Sequence, residues 1–367
     1  MELRIEPLDT LFFRDGKPFS MGEETWADSH LLPSPSVIYG MLRTAIATQN
    51  GIGFETINNQ HKQLGVETFR VNNIYYYTEE NMLPMPLDLV EFNSDKEDND
   101  KAMKCKVNAL KLVPHTAIIS KAKAPYITHF LQPNEQANSF DDALISTANL
   151  EEYLCGYLDE TQVLRTSRYI KSEAKIGIAR QDSTKTADEG HLFRTDMKRY
   201  HYLLKRTETQ TEIKSLQIGV CLATTLPFSP LVRLGGEVKM VNLKVNPQNT
   251  PFKVDTQDVE FEGGRFKIYL STPAIFTNGL PDIAGKLGIN ATLIAACVGK
   301  PFAIGGFDMA TNRAKPMYKT VVAGSVYYYQ SQDDLSLLHQ KQGTSLSDIY
   351  PEQGFGIAYF GTYQNEQ

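Results

Sequence analysis

The chain sets out its apolar segments as strand, helix, strand, strand, helix, strand, and does so twice. Few helices set among many strands point to α+β architecture, with split βαβ units of the ferredoxin-like pattern. The first strand is MELRIEPL, alternating at Leu3, Ile5 and Leu8, with Pro7 marking an edge or a bulge. Leu11, Phe12 and Phe13 follow, and then RDGKPF, a turn with Asp-Gly at its centre. In LLPSPSVIYGMLRTAIATQNG, Ser34 or Ser36 caps a helix, Pro35 sits near its start and Gly51 closes it. Val37, Met41, Leu42, Ala45 and Ile46 form its apolar face.

NIYYYT (73–78) reads as a strand, 91–101 as a mobile acidic tip, and 138–159 as polar but helical. LQIGVCLAT (216–224) opens the second set. It continues with a strand in GGRFKIYLSTPAIF (263–276), a helix in GINATLIAACVGK (288–300) and a strand in VVAGSVYYYQ (321–330). DDLSLLHQK reads as a helix, and QGFGIAYFGTY (353–363) as a glycine turn feeding a last strand. The expected organisation is therefore two ferredoxin-like, RRM-like domains, about 1–215 with large insertions and about 216–367.

The 367 residues are 41% hydrophobic, enough for one large core or two. No run approaches the roughly 18 apolar residues of a membrane span, and the N-terminus turns polar by its fourth residue. A cytoplasmic protein without a membrane partner is expected. Four cysteines lie far apart with no CxxC pair, which reads as reduced, buried thiols. The seven histidines are scattered, with no HExxH or HxH, so no metal or other cofactor is expected. GxxxxGK[ST] and GxSxG are both absent, which argues against a phosphate-cradling NTPase and a serine hydrolase.

The charge is unevenly distributed. The whole chain carries a net charge of −6, yet Arg165–Arg206 holds eleven Lys and Arg against five acids. A basic island in an acidic chain is the footprint of a polyanion site. Tyr169, Phe193, Tyr200, His201 and Tyr202 are interleaved with the cations, a mixture suited to single-stranded nucleic acid, where bases stack while cations track phosphates. A solvated charged face would read the same way. Within the island, IGIARQDSTKTADEGHLFR (176–194) loses its hydrophobic period after the first few residues. It is either a surface loop or a segment shaped for a partner.

Two further places have candidate chemistry. A helix N-terminus at Ser36, with Tyr39 and Arg43 following, offers free N–H groups to phosphate. Gly354 and Gly356 sit between a helix and the last strand, where backbone N–H groups can approach a phosphate; a plain turn is the other reading. His191 or His30 is the only visible base for an RNA-cleaving enzyme.

Six spans in order carry a family resemblance: LFFRDGKPF, LPSPSVIYGMLRTAI, IGIARQDSTKTADEGHLFR, VGKPFAIGGFDMA, VVAGSVYYY and GFGIAYFG. Together, from Leu11 to Gly361, they resemble the third-subunit family of type III-B CRISPR (Cmr) effector complexes. This family belongs to the RAMP superfamily and is of the type that caps the guide RNA at its 5′ end. The resemblance implies two ferredoxin-like domains and a non-catalytic subunit of antiviral defence. Such a subunit grips the 5′ tag of the CRISPR RNA and bridges the large palm-polymerase-like subunit to the first backbone RAMP subunit. A RAMP-type, metal-independent endoribonuclease is the alternative. On this resemblance 176–194 is a hairpin or thumb, within about 165–206, that lies against the guide. Its RNA-binding residues are Arg168, Lys171, Lys175, Arg180, Thr184, Lys185, Thr186, His191 and Arg194. Arg14, Lys17 and Arg43 form a second cluster, with Ser36, Tyr39, Gly354 and Gly356 as further contacts.

Overall fold

The structure is a computed structural model. It describes residues 1–14, 26–27, 29–52, 69–91, 104–114, 129–133, 137–140, 142–158, 160–181, 183–184, 186–205, 211–223, 225, 227–246, 252–308 and 312–364. The elements used below are, in chain order, β1 (Glu2–Pro7), α1 (Pro35–Gln49), β2 (Val71–Tyr77), β3 (Asn81–Pro84), β4 (Ala143–Ser146) and α2 (Thr147–Cys155). After these come β5 (Lys171–Arg180), β6 (Ala187–Arg199), β7 (Gln217–Leu222), β8 (Leu231–Arg233) and β9 (Met240–Val245). The last are β10 (Arg265–Leu270), α3 (Ile283–Leu287), β11 (Ala291–Cys297), β12 (Val326–Ser331), α4 (Leu337–Gln340) and β13 (Ile357–Gly361). The mixture of antiparallel strands and a few helices is α+β. The chain divides into two interleaved compact units: 1–71, 166–249 and 303–319 in the first; 72–165, 250–302 and 320–367 in the second.

In the first unit, β1 is central. It pairs antiparallel with β7, Ile5 opposite Ile218, and with β9, Ile5 opposite Leu243. β8 adds to β9 with Val232 opposite Val241. Alternation along these strands places Leu3, Ile5, Ile218, Val220, Val241 and Leu243 in the core. α1 starts with Ser34 in extended conformation and Pro35 in the first turn, where a missing N–H is harmless. It buries Ile38, Met41, Leu42, Ala45 and Ile46; Ile38 replaces the expected Val37. Its Ala45 carbonyl accepts from Ser229 N (3.0 Å), just ahead of β8.

In the second unit, β10, β11, β12 and β13 form a sheet in the order β11-β12-β10-β13, with the short strand Thr344–Ser345 pairing antiparallel at its edge. Every pairing among the four strands is antiparallel. One face packs on α3 and α4 through Phe266, Ile268, Tyr327, Tyr329, Ile283, Leu287 and Leu338. The other face meets α2 and the β3–β4 region. Tyr359 Oη donates to Asn73 Oδ1 (2.7 Å), and Tyr269 Oη donates to the Pro84 carbonyl. Burial on both faces explains the unbroken VYYY run of β12, which has no polar alternation.

A polar bolt crosses this second face. Asp88 is fully buried and accepts from Tyr153 Oη of α2 (2.7 Å) and from Tyr328 Oη of β12. Beside it, Lys267 of β10 donates to the Tyr153 carbonyl (2.7 Å). Burial lowers the Lys267 amine from 10.5 to about 8, against the opposing pull of the Asp88 charge.

One expected element is corrected. The helix anticipated over 288–300 is strand β11, with a register shift between Leu293 and Ala295. The helix of this region lies earlier, at α3. Asp282 caps it by accepting from Gly285 N (2.9 Å), and Gly288 closes it at φ 72°. The polar stretch 138–159 is helical only over α2; β4 precedes it. The acidic tip falls almost wholly outside the described residues.

Candidate nucleic-acid interface

The nineteen residues without a core period form most of a long antiparallel hairpin in the first unit, β5 against β6. Register runs from Lys171 opposite Arg199 to Ile178 opposite Leu192, with a shift before Arg180 meets Ala187. Gly177 faces Phe193, whose ring fills the space a side chain would take; a Cβ at Gly177 would lie 2.3 Å from Phe193 Cζ. The two-residue strand Trp26–Ala27 runs parallel beside β6 at Arg194 and Thr195.

The root of the hairpin is built into the unit. Met197 is buried with Phe12, and Leu11 exchanges backbone hydrogen bonds with Lys198 in both directions (2.7 and 2.8 Å). Leu11 and Phe12 therefore stand directly at the hairpin root. Higher up, Ile176 is 71% and Ile178 47% exposed, and both lie on the same strand face. A β-strand with exposed isoleucines and an exposed Arg194 opposite Ile176 has no apolar period to show in sequence.

Acids bind several of the island's cations. Arg199 Nε and Nη2 hold Glu173 Oε2 (2.8 and 2.6 Å), and Arg199 Nη2 reaches Asp9 Oδ1 (3.6 Å). Lys175 lies 3.9 Å from both Asp9 and Glu173 and donates to Thr10 Oγ1 (3.1 Å). Lys198 is buried on Asp196 and Ser172. Lys239, outside the island, pairs with Asp9 (2.9 Å). That hydrogen bond, with one from the Thr10 backbone, holds the Asp9 carboxyl down at about 2. Arg165 lies in the second unit, on Glu91 (3.6 Å) and Asp142 (3.5 Å).

The remaining expected contacts distribute as follows. Arg168 ends the helical turn Thr166–Tyr169 before β5; exposed Lys171 donates to the Ser167 carbonyl (2.9 Å). At the hairpin tip Thr184 and Thr186 are exposed, with their hydroxyls 2.7 Å apart and Thr184 donating to Gln181 (3.1 Å). Exposed Arg14 bridges to Ser29. On α1, the Ser36 and Ser34 hydroxyls are 3.1 Å apart, Tyr39 packs on Phe69 with ring centroids 4.8 Å apart, and the Arg43 guanidinium lies 6.0 Å from the Tyr39 ring. Lys17 and Lys185 lie outside the described residues, as do the side chains of Arg180 and His191; their backbones sit in β5 and β6.

Two sequence arguments change meaning. Tyr200 is fully buried, edge-on to Phe13, with its hydroxyl on the Leu31 carbonyl, so it offers no stacking face. Gly354 and Gly356 lie in the second unit, and their N–H groups donate to the Pro351 (3.3 Å) and Pro273 (2.8 Å) carbonyls. Glycine at 356 is required by φ 67° and by Ser347 N, 2.5 Å from where a Cβ would sit. Sequence reasoning missed Asp9, Glu173 and Lys239. The one available signal was an acid at position 9, two residues ahead of Leu11. Among the described residues, no group of three or more His, Cys, Asp and Glu is placed to hold a metal, and no helix is long and apolar enough to cross a membrane.

The family model of the CRISPR-associated protein Cas_Cmr3 matches residues 3–363. Among solved structures, a chain in the cryo-EM structure of the Type III-B Cmr-beta bound to cognate target RNA is similar in fold. It has a TM-score of 0.50 at 15% identity, covering 98% of this chain and 96% of its own. A second, bound to cognate target RNA and AMPPnP, gives 0.48 at 17% identity, over 89% of this chain and 86% of its own. No curated protein matches the chain.

Proposed function

The chain belongs to the Cas_Cmr3 family of CRISPR-associated proteins, and from that premise we propose that it is a non-catalytic, RNA-binding subunit of a type III-B effector. In this reading it grips the 5′ tag of the CRISPR RNA and joins the large palm subunit to the first backbone RAMP subunit in the cytoplasm. The solved relative of the same fold belongs to an assembly bound to cognate target RNA, and this chain would work in an assembly of that kind. Two ferredoxin-like cores, about 1–215 and 216–367, are part of the proposal. The β10-α3-β11-β12-α4-β13 order supports the second of them, with its first strand between the third and fourth in the sheet.

The observation that carries the reading is the hairpin, rooted on Leu11–Phe13, with Ile176 and Ile178 exposed above the root. Arg168 just ahead of β5, Lys171 at the hairpin base and Arg194 on β6 supply charge, and Thr184 and Thr186 supply hydroxyls at the tip for phosphate and 2′-OH groups. Arg14 and the Tyr39–Arg43 pair extend the surface. The glycine turn is left out, because its N–H groups are used inside the second unit.

The test is a titration of the purified chain with a guide RNA bearing its 5′ tag and one with the tag scrambled, at two salt concentrations, with a gel to read cleavage. Tag-dependent binding of intact RNA is expected. Cut RNA, abolished by His191→Ala or His30→Ala, would make the protein an endoribonuclease. Equal affinity for both RNAs would remove tag recognition from this chain.

A further inference from the structure

A hairpin that binds a polyanion has two needs that compete: many cations, and a fixed root. At the root of β5 and β6 three cations from three different stretches converge on one carboxylate. Lys239 Nζ comes from the loop before β9 (2.9 Å), Arg199 Nη2 from β6 (3.6 Å) and Lys175 Nζ from β5 (3.9 Å). Their common partner, Asp9, sits between β1 and the Leu11–Phe13 segment that holds the hairpin by its backbone. Glu173 closes the network from β5 through Arg199, with two donors on one oxygen. An isolated exposed ion pair contributes little, but a network with a forked arginine is the case in which surface pairs do fix geometry.

We propose that Asp9 is a positioning residue for RNA binding: it fixes the direction of the hairpin and withholds Lys175, Arg199 and Lys239 from the RNA. Binding charge is thereby left to the cations outside this network, Arg168, Lys171 and Arg194. This rests on the RNA-binding reading above. Without the carboxylate, Lys239 loses its hydrogen-bonded acid, and the three neighbouring cations are left, among the described residues, with Glu173 alone, on Arg199 (2.6 Å) and Lys175 (3.9 Å). They repel, loosen the root and become available to phosphate without regard to sequence.

The experiment compares the full chain with Asp9→Asn and Asp9→Glu. Two readouts are taken: amide hydrogen exchange of the free protein over 171–175 and 195–199, and the salt dependence of binding to tagged and scrambled guide RNA. For Asp9→Asn, exchange at the root should rise about tenfold. The salt slope should steepen by about 0.7 for each released cation that meets a phosphate, and the preference for the tag should fall. Asp9→Glu should restore both. Faster exchange with an unchanged slope would overturn the positioning role and leave a structural one. Unchanged exchange would overturn the proposal outright. If the unmodified chain binds no RNA, the functional reading fails, and the exchange data alone decide whether Asp9 holds the root.

Discussion

Replacing Lys267 by Met should remove a pH dependence of stability that the wild-type chain carries in the alkaline range. Lys267 is fully buried on β10 beside Tyr153 and near Asp88, and burial lowers its amine from 10.5 to about 8. Below pH 8 the amine is charged in both the folded and the unfolded chain. Above 10.5 it is neutral in both. Between these limits the unfolded chain holds a proton that the folded chain does not, so stability rises with pH. At about 1.36 kcal/mol per pH unit, charging the buried amine costs about 3 kcal/mol. The buried tyrosines work in the opposite direction above pH 10, but they are common to both proteins and cancel in the difference. The assay is urea unfolding followed by circular dichroism, from pH 7.5 to 10. The wild type should gain about 2–3 kcal/mol over the variant across that range. Parallel curves would refute the claim that burial of the amine dominates its environment.

Other positions give sharper local tests. Gly264→Ala places a Cβ 1.9 Å from the Ser331 carbonyl at φ 69°; it should destabilise the chain by about 2 kcal/mol or more, read as a lowered melting temperature. Gly177→Ala drives the Phe193 ring off the hairpin; amide exchange at 176–178 should speed up by an amount corresponding to about 1 kcal/mol, with the rest of the unit unchanged. Lys171→Glu together with Arg194→Glu should flatten the salt dependence of RNA binding by about 0.7 for each lost phosphate contact, and an unchanged slope removes both from the interface.

Most of what the sequence conveyed was local. Ser34-Pro35 and Asn50-Gly51 bracket α1, and the structure keeps both ends, although the Ser34 side chain makes no capping hydrogen bond and meets the Ser36 hydroxyl instead. The Tyr-rich run of β12 and the glycine turn before β13 are equally plain. ATLIAAC favours a helix locally, while pairing with β12 and a register shift decide for strand β11. The true helix signal, Asp282 to Gly288, was short and lay six residues away. The hairpin was legible as an exception, a segment without a core period, and that exception is physical, since Ile176 and Ile178 of its upper strand are exposed. Its root was not legible. Asp9 and Lys239 meet only through tertiary folding, and no spacing in the chain announces them.

The central claim is that the hairpin and the LFFRDG segment hold the tagged end of the guide. Amide hydrogen exchange of the full chain, with and without tagged guide RNA, tests it most directly. Protection is expected on RNA binding over 171–199 and at Leu11–Arg14, with Gly354–Gly356 unchanged. Protection confined to the second unit, with the hairpin exchanging as it does in the free protein, would contradict it.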